Sequence, residues 1–392
     1  MGGEAGGRAG EGVGATVIVA VPGETPDLLG RLREIRDAGD VPLVGDARWP
    51  GAPGEFVRAA MAEVPEAIAW ATLTSGSSGA PRIVLRTASS WEDSFATVEW
   101  LLGVGREDTV ALPAPPAASL TLFSLAHALA GGPRPSLGSG LCAEVTCLHG
   151  TPQALRSILD AGAPPRLRAA LVGGSSLDQA LRDRAEAAGI RVISYYGAAE
   201  LSFVAVDEGD GLRPFPGVEL SIRDGELWVR SPFVAAGYAG VAGPLRRADG
   251  WATVGDRAEL VDGRLRLVGR ADDAILSASA TIIPEEVEEV LRSVPGVRDA
   301  VVFGLPRERI GALVAALVEL EDEDEGGDGG GGDGDGGTRI PDLRAVVDAR
   351  LAPAHRPRLW FEGELPRTTS GKPARAEAAR RARAGEVRRL VV

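Results

Sequence analysis

The sequence predicts an α/β fold in two parts. A large N-terminal α/β domain has parallel-rich sheets and a small β-barrel-like portion, and a small α+β C-terminal domain follows. Three observations predict this. From Ala15 to Gly197, apolar runs alternate with amphipathic stretches between short Gly-rich turns, the pattern of strands joined by crossover helices. Beyond Asp210, short alternating segments are separated by Asp-Gly pairs, which mark β-hairpins. Beyond Arg270, a helix–strand texture returns. The expected parts are a flexible tail over 1–14, a large domain over 15–271 and a small domain over 272–392, with the boundary in "GRADD" at about Asp272.

The elements follow in order. "ATVIVAV", from Ala15, reads as a buried strand. "TPDLLGRLREIRDAG" reads as a helix, with Thr25 as N-cap, Pro26 at the first helical position and Gly39 as the stop. "VPLVGDA" and "IAWATL" are further strands, and "LRAALVGG", "SSLDQALRDRAEAAG" and "IRVISYYG" repeat strand, helix and strand. "GVELSIRDGELWVRSP" and "RAELVDGRLRLVGR" are hairpins. In the small domain, "PEEVEEVLRSVPGVRDAVVFGLP" is helix then strand, and "PDLRAVVDARLA" is a helix.

Composition narrows the function. At 392 residues the chain can build two or three cores. No apolar run approaches the roughly 18 residues of a membrane span. The first residues, "MGGEAGGRAGEGVG", lack the basic and apolar regions of a secretory signal. Cys142 and Cys147 are expected to be buried free thiols in or beside a strand, because zinc would need four ligands and the chain has only three His. A reduced, cytoplasmic protein is the expectation. The net charge of −13 is concentrated: Glu321 to Gly337, "EDEDEGGDGGGGDGDGG", carries eight carboxylates and should be a disordered surface loop. No basic patch supports nucleic-acid binding. Of 42 basic residues, only Lys372, in "RTTSGKPAR", is a lysine. Its ammonium is a compact point charge where guanidinium is a planar fork, so a site delivering one charge through a narrow space can require it.

"TLTSGSSGAPR", Thr72 to Arg82, is a loop whose glycines let the backbone approach an anion while hydroxyls and N–H groups supply donors. It lacks the spacing of a Walker A loop. After it come "YYGAAE", "GELWVRSPFVAAGY", "GWATVGD", "GRADDAILSASATIIPEEVE" and "LPRTTSGKPAR". This ordered set, spanning Thr72 to Arg375, resembles the adenylate-forming superfamily of acyl-CoA synthetases, luciferases and adenylation domains. There the corresponding motifs read T-S-G-(S/T)-T-G-x-P-K, Y-G-x-T-E, G-E-L-x-V with G-Y, W-x-x-T-G-D, G-R-x-D-D and P-x-T-x-x-G-K.

The resemblance implies an AMP-forming acyl-CoA synthetase that uses ATP, Mg²⁺ and CoA as co-substrate. One alternative is an acyl-AMP ligase serving an acyl carrier protein or another nucleophile. A lesser one is a nucleotide-binding protein without chemistry. Lys372 would bridge the acyl carboxylate and the α-phosphate. Thr74, Ser75, Gly76, Ser77, Ser78 and Gly79 would cradle the β- and γ-phosphates, with Arg82 in place of the loop lysine. Glu200 would hold Mg²⁺. Tyr196 would stack on adenine, Asp256 would accept the ribose hydroxyls and Arg270 would reach the ribose. Gly174, Gly197 and Ala199 would join the nucleotide contacts. Asp272 would be the hinge of a mobile small domain. Taken singly, Tyr196 could instead be core, Asp256 a turn residue and Glu200 a helix N-terminal acid.

Some positions depart from the family pattern. Ala199 replaces a Thr, and Leu276 and Ser279 replace the Lys and Gly of the post-hinge loop, where Ser adds bulk to the CoA tunnel. The phosphate loop comes early, so the N-terminal domain reads as trimmed between about Asp46 and Glu66, a size like that of o-succinylbenzoate-CoA ligases and short acyl-CoA synthetases. No acid precedes the pocket helix in "PAPPAASLTLFSLAHALAGG", so an α-amino acid is not the expected substrate. Leu120, Leu122, Phe123, Leu125 and Ala126 would line an apolar pocket or belong to the core, and His127 would be a gate or a core residue.

Overall fold

In the computed structural model of the chain, the described residues are 16–45, 64–65, 67–74, 82–138, 140, 142–240, 242–270, 275–277, 280–307, 311–321, 340–368 and 372–390. The predicted tail, the Asp272 hinge and nearly all of the acidic tract lie outside them. The first sheet begins with β1 (Ile18–Pro22), α1 (Leu28–Asp37) and β2 (Val41–Gly45), the two strands parallel as a helical crossover requires. The helix starts later than the sequence indicated. Asp27, not Thr25, is the N-cap: its carboxylate accepts the Gly30 N–H at 3.1 Å, while the Thr25 hydroxyl donates to the Pro22 carbonyl at 2.6 Å. β3 (Ile68–Thr74) joins β2 in parallel, and β4 (Arg82–Thr87) then pairs with β3 antiparallel before α2 (Ser89–Leu102).

The second sheet holds β5 (Thr109–Leu112), α3 (Ser119–Leu129), β6 (Arg134–Leu137), β7 (Cys147–Gly150), α4 (Pro152–Asp160), β8 (Ala169–Val172), α5 (Gln179–Ala187), β9 (Arg191–Ala198), β10 (Ser202–Asp207) and β11 (Arg213–Pro214). The spatial order is β11-β10-β9-β8-β7-β5-β6, parallel from β6 to β9 and antiparallel at β10 and β11. β7 and β8 are buried throughout, as strands covered on both faces must be. Cys147 is accordingly buried, but Cys142 is exposed, because it precedes the strand rather than entering it.

β12 (Glu219–Arg223) and β13 (Glu226–Arg230) begin the third sheet. β14 (Gly237–Ala239) leaves it to pair with β4, and β15 (Arg246–Ala248), β16 (Trp251–Thr253), β17 (Asp256–Val261) and β18 (Arg264–Arg270) complete it. Asp224-Gly225, Asp249-Gly250 and Asp262-Gly263 all have positive φ, from 51° to 79°, as two-residue hairpin turns of the primed type require. The expected barrel-like portion is not a barrel. Its order is β15-β16-β13-β17-β18 with β12 on β13, an open sheet, and β14 pairs with β4 in the first sheet.

The small domain contains β19 (Ile275–Ser277), β20 (Ala280–Ile282), α6 (Pro284–Arg292), β21 (Val297–Arg307), β22 (Gly311–Leu320), α7 (Ile340–Arg350), β23 (Leu359–Glu362), α8 (Arg375–Ala384) and β24 (Arg388–Leu390). Its sheet runs β20-β19-β22-β23-β24, with β21 also on β22. Alternate residues of β21 feed two cores: Val302 packs with Val287, Leu291 and Trp360, and Val301 with Phe361 and Ala378. Arg298 of this domain approaches Asp160 of the large one at 3.6 Å. Among the described residues no helix is long and apolar enough to cross a membrane.

Candidate active site

In open α/β sheets, ligands bind beyond the carboxyl ends of the strands. Here the buried β8 runs into Gly173 and Gly174. Gly173 donates its N–H to the Gly150 carbonyl at 2.9 Å, and a Cβ on it would lie 2.2 Å from Cζ of Tyr195, so only glycine fits. Gly174 has φ 93°, and a Cβ there would stand 3.5 Å from Cε of Lys372. The chain's one lysine, carried by the small domain, thus lies over the end of the large domain's parallel sheet. A tight loop presents it. The Thr368 N–H donates to the Lys372 carbonyl at 2.7 Å, the Lys372 N–H to the Thr368 hydroxyl at 3.2 Å, and Arg367 bridges to Pro373. Arg367 is itself anchored on Asp299 at 2.9 Å and Glu319 at 3.2 Å.

Glu200 sits in the turn from β9 to β10. That turn is tight: a Cβ on Gly197 would meet the Ser202 carbonyl oxygen at 2.1 Å, and Ser202 has φ 58°. The Glu200 side chain is buried, and its Oε1 accepts the Tyr238 hydroxyl at 2.9 Å. Arg86, in β4 and fully buried, holds the same turn. It donates twice to the Ala199 carbonyl, at 3.1 and 2.8 Å, and once to the Phe233 carbonyl at 2.9 Å, and its guanidinium lies over Trp91. Burial pushes its pKa down to about 9, with Glu200 opposing, so it remains a cation at neutral pH. Burial and then Glu200 hold the Tyr238 hydroxyl above the usual phenol range, while Arg82 acts against them. Sequence reasoning assigned no role to Arg86 or Tyr238. The available signals were an Arg inside the apolar strand "RIVLRT" and the Tyr ending "VAAGY".

Tyr196, near the end of β9, hydrogen-bonds through its hydroxyl to Asp256 at the start of β17, and Asp256 is the register partner of Arg270 on β18. The Arg270 side chain and residues Ser75 to Gly79 lie outside the description. Thr74 and Arg82 face one another across the base of that loop. The Thr74 hydroxyl oxygen is buried with no hydrogen-bond partner, an orphan that an anion in the loop would satisfy.

Toward the interior, Leu122 and Leu125 of α3 are core residues. Phe123 faces a cavity of about 20 Å³ that Val98, Leu102, His127, His149 and Leu171 also line. His127 is a core residue: Nε2 meets Glu99 at 3.0 Å, the ring stacks on Phe95 at 4.4 Å, and burial lowers its pKa against the pull of Glu99. His149 bridges the Ser124 hydroxyl at 2.8 Å and the Tyr195 hydroxyl at 3.0 Å, and burial pushes its pKa down to about 3. Burial pushes the Cys147 thiol up to about 12, so it is no nucleophile. Among the described residues, no three His, Cys, Asp or Glu gather as metal ligands.

The description of AMP-binding enzymes matches residues 13–239, and that of the AMP-binding enzyme C-terminal domain matches residues 286–372. The chain belongs to the AMP-binding enzyme family. It is 34% identical over 278 residues to a 2-succinylbenzoate–CoA ligase of Salmonella typhimurium, covering 66% of this chain and 60% of the relative. It is 30% identical over 270 residues to a medium/long-chain-fatty-acid–[acyl-carrier-protein] ligase of Mycobacterium tuberculosis, covering 58% and 47%. The matched stretch thus spans about three fifths or less of these two relatives' lengths. A structure of Escherichia coli MenE with bound OSB-AMS shares the fold at a TM-score of 0.78 and 24% identity, covering 95% of this chain and 88% of the other.

Within this AMP-binding fold, the structure brings Tyr196 to Asp256, sets Asp256 opposite Arg270, closes the loop base with Thr74 and Arg82, and places Lys372 on Gly174. Glu200 is immobilised beside Ala199, and it belongs to a strand-to-strand turn, not to a helix.

Proposed function

We propose that the chain is an AMP-forming acid–thiol ligase whose two domains meet at about Asp272. It activates a carboxylic acid with MgATP and transfers the acyl group to CoA. The observation that carries this reading is the position of Lys372, whose Cε lies 3.5 Å from where a Cβ on Gly174 would stand. A carboxylate oxygen attacks the α-phosphorus of ATP, forming acyl-AMP as the bond to pyrophosphate breaks. Two anions must meet, and a compact cation between them offsets the charge that develops. Lys372 supplies that cation.

Thr74, with the loop to Gly79 and Arg82, receives the β- and γ-phosphates. Tyr196, Asp256 and Arg270 take the adenosine. Glu200 would offer its carboxylate to the Mg²⁺ of MgATP, whose charge would help offset that of the phosphates. The CoA thiol then attacks the acyl carbon and AMP leaves, after rotation about Asp272. Two free thiols fit a cytoplasmic setting. The acid is apolar aliphatic or aryl, since Ala114 to Ala118, ahead of α3, present no acidic side chain for an ammonium. The name of the Salmonella relative supports an aryl acid.

The Mycobacterium relative favours a second reading, in which a carrier protein is the acceptor. A panel of aliphatic and aryl acids, assayed for pyrophosphate release with CoA or a carrier protein, decides. Acyl-CoA is the expected product. AMP release with the carrier alone supports the second reading, and no pyrophosphate from any acid rejects both.

A further inference from the structure

We propose that α4 is the seat of the small domain in the first half-reaction, and that Asp160 and Arg298 are positioning residues that set Lys372 over Gly174. The inference rests on the ligase reading, in which the small domain rotates away before CoA attacks. Both ends of α4 lie where the two domains approach. At its start Thr151, the N-cap, accepts the Ala154 N–H at 3.3 Å. The Thr151 methyl lies 3.5 Å from where a Cβ on Gly174 would stand, the same separation as Lys372 Cε. At its other end Asp160, the last helical residue, lies 3.6 Å from Nη2 of Arg298. The nine residues of α4, at about 1.5 Å each, set these two places about 13 Å apart. Two points along a stiff helix leave the small domain only rotation about that line. The approach at Gly174 alone would leave it free to pivot.

Both sides of the second point are prepared. On the large domain, Arg184 of α5 holds Asp160 at 2.7 Å, which orients the carboxylate independently of the small domain. The C-terminal end of a helix carries partial negative charge, which adds to the attraction for a cation. On the small domain, the register of β21 on β22 passes from Val297–Leu320 to Asp299–Glu319 and leaves Arg298 opposite no residue. An extra residue of this kind re-aims its side chain out of the ladder. Arg298 Nε stays 3.6 Å from Glu319 Oε1, while Glu319 Oε2 holds Arg367 at 3.2 Å. Arg367 anchors the loop that presents Lys372, so one carboxylate links the approach between domains to the lysine. Arg298 and Asp160 are both partly exposed, so their attraction is modest and screened by salt. A domain that must leave in every turnover requires such a weak hold.

The test uses the full chain. Adenylation is read as pyrophosphate–ATP exchange on benzoate or octanoate, and the second half-reaction as consumption of the matching acyl-AMP with CoA. Arg298→Gln and Asp160→Asn should each slow exchange by about two- to fivefold, and the double variant no more than either alone, because they remove one interaction. Asp160→Arg should slow exchange on the order of tenfold by setting like charges together. In that background Arg298→Gln should reverse its effect and quicken exchange, which a loss of local structure would not do. If Asp160→Arg does not fold, the neutral pair decides alone. These effects should shrink at high salt, while acyl-AMP consumption stays unchanged. Additive losses in the neutral pair overturn the inference. So does slowing by Arg298→Gln in both backgrounds, or acyl-AMP consumption that falls in step with exchange. No exchange by the unsubstituted protein on any acid of the aliphatic and aryl panel overturns the ligase reading and the inference with it.

Discussion

The two halves of the candidate site are held in different ways. The turn carrying Glu200 is fixed from several sides: Arg86 and Tyr238 reach it from neighbouring strands, and Gly197 and Ser202 close it tightly. The loop carrying Lys372 is held by its own backbone and by Arg367, and the lysine side chain is exposed. In the proposed reaction, the nucleotide half is preorganised by sheet structure, and the cation comes from the separate small domain that carries Lys372. An enzyme that performs two half-reactions in one cleft needs that division, because a cation fixed at the phosphate would obstruct the second acceptor.

This contrast can be broken experimentally. Arg86→Met should have the largest effect, since the carbonyls of Ala199 and Phe233 are left buried and unpaired at about 1–3 kcal/mol each. Denaturant unfolding should show the loss, and an unchanged midpoint would mean that Arg86 does not hold the Glu200 turn. Lys372→Ala should slow acyl-AMP formation by about 10²–10³-fold, leaving AMP affinity and melting temperature unchanged. Lys372→Arg should also be slow, because a planar fork does not replace a point charge. A rate equal to that of the unsubstituted protein in the arginine variant would remove the reason offered for the lone lysine.

His149 sharpens the contrast from the buried side. Its folded pKa, about 3, lies below the ordinary value of about 6.5, so the unfolded chain takes up the proton first. Its contribution is fully present above about pH 6.5 and is lost as pH falls toward 3. Stability should drop by about 2 kcal/mol between pH 7 and pH 5, and His149→Gln should flatten that limb in urea titrations. The smallest effect belongs to the contact between domains. Arg298→Gln removes a partly exposed approach to Asp160 at 3.6 Å, worth about 1 kcal/mol or less. It should slow adenylation no more than about fivefold, and less at high salt.

Much of this was legible in the sequence, for identifiable reasons. The Asp-Gly turns at Asp224-Gly225 and Asp262-Gly263 were readable because their backbone needs φ > 0, which few residues accept; the third, at Asp249-Gly250, was not singled out. The parallel strands were readable because burial on both faces leaves continuous apolar runs such as that of β8. Local competition hid the start of α1, where Thr25, Pro26 and Asp27 all carry capping signals and Asp27 won by bonding the Gly30 N–H. Long-range pairing hid the open form of the third sheet. Nothing near Tyr238 says that β14 will cross to β4. For the same reason the partners of Glu200 escaped notice, since Arg86 and Tyr238 are distant in sequence and become its neighbours only through that pairing.

The crossing of β14 also has a cost in time. β4 is complete once Thr87 is made, but its outer edge pairs with Gly237–Ala239. At about 5–20 residues per second on the ribosome, that edge waits on the order of ten seconds, offering unpaired N–H and C=O groups to any passing strand. Arg82 and Arg86 put two charges on the waiting strand, the kind of placement that discourages edge-to-edge pairing. In the nascent chain, then, the arginine that later steadies the Glu200 turn also guards against aggregation.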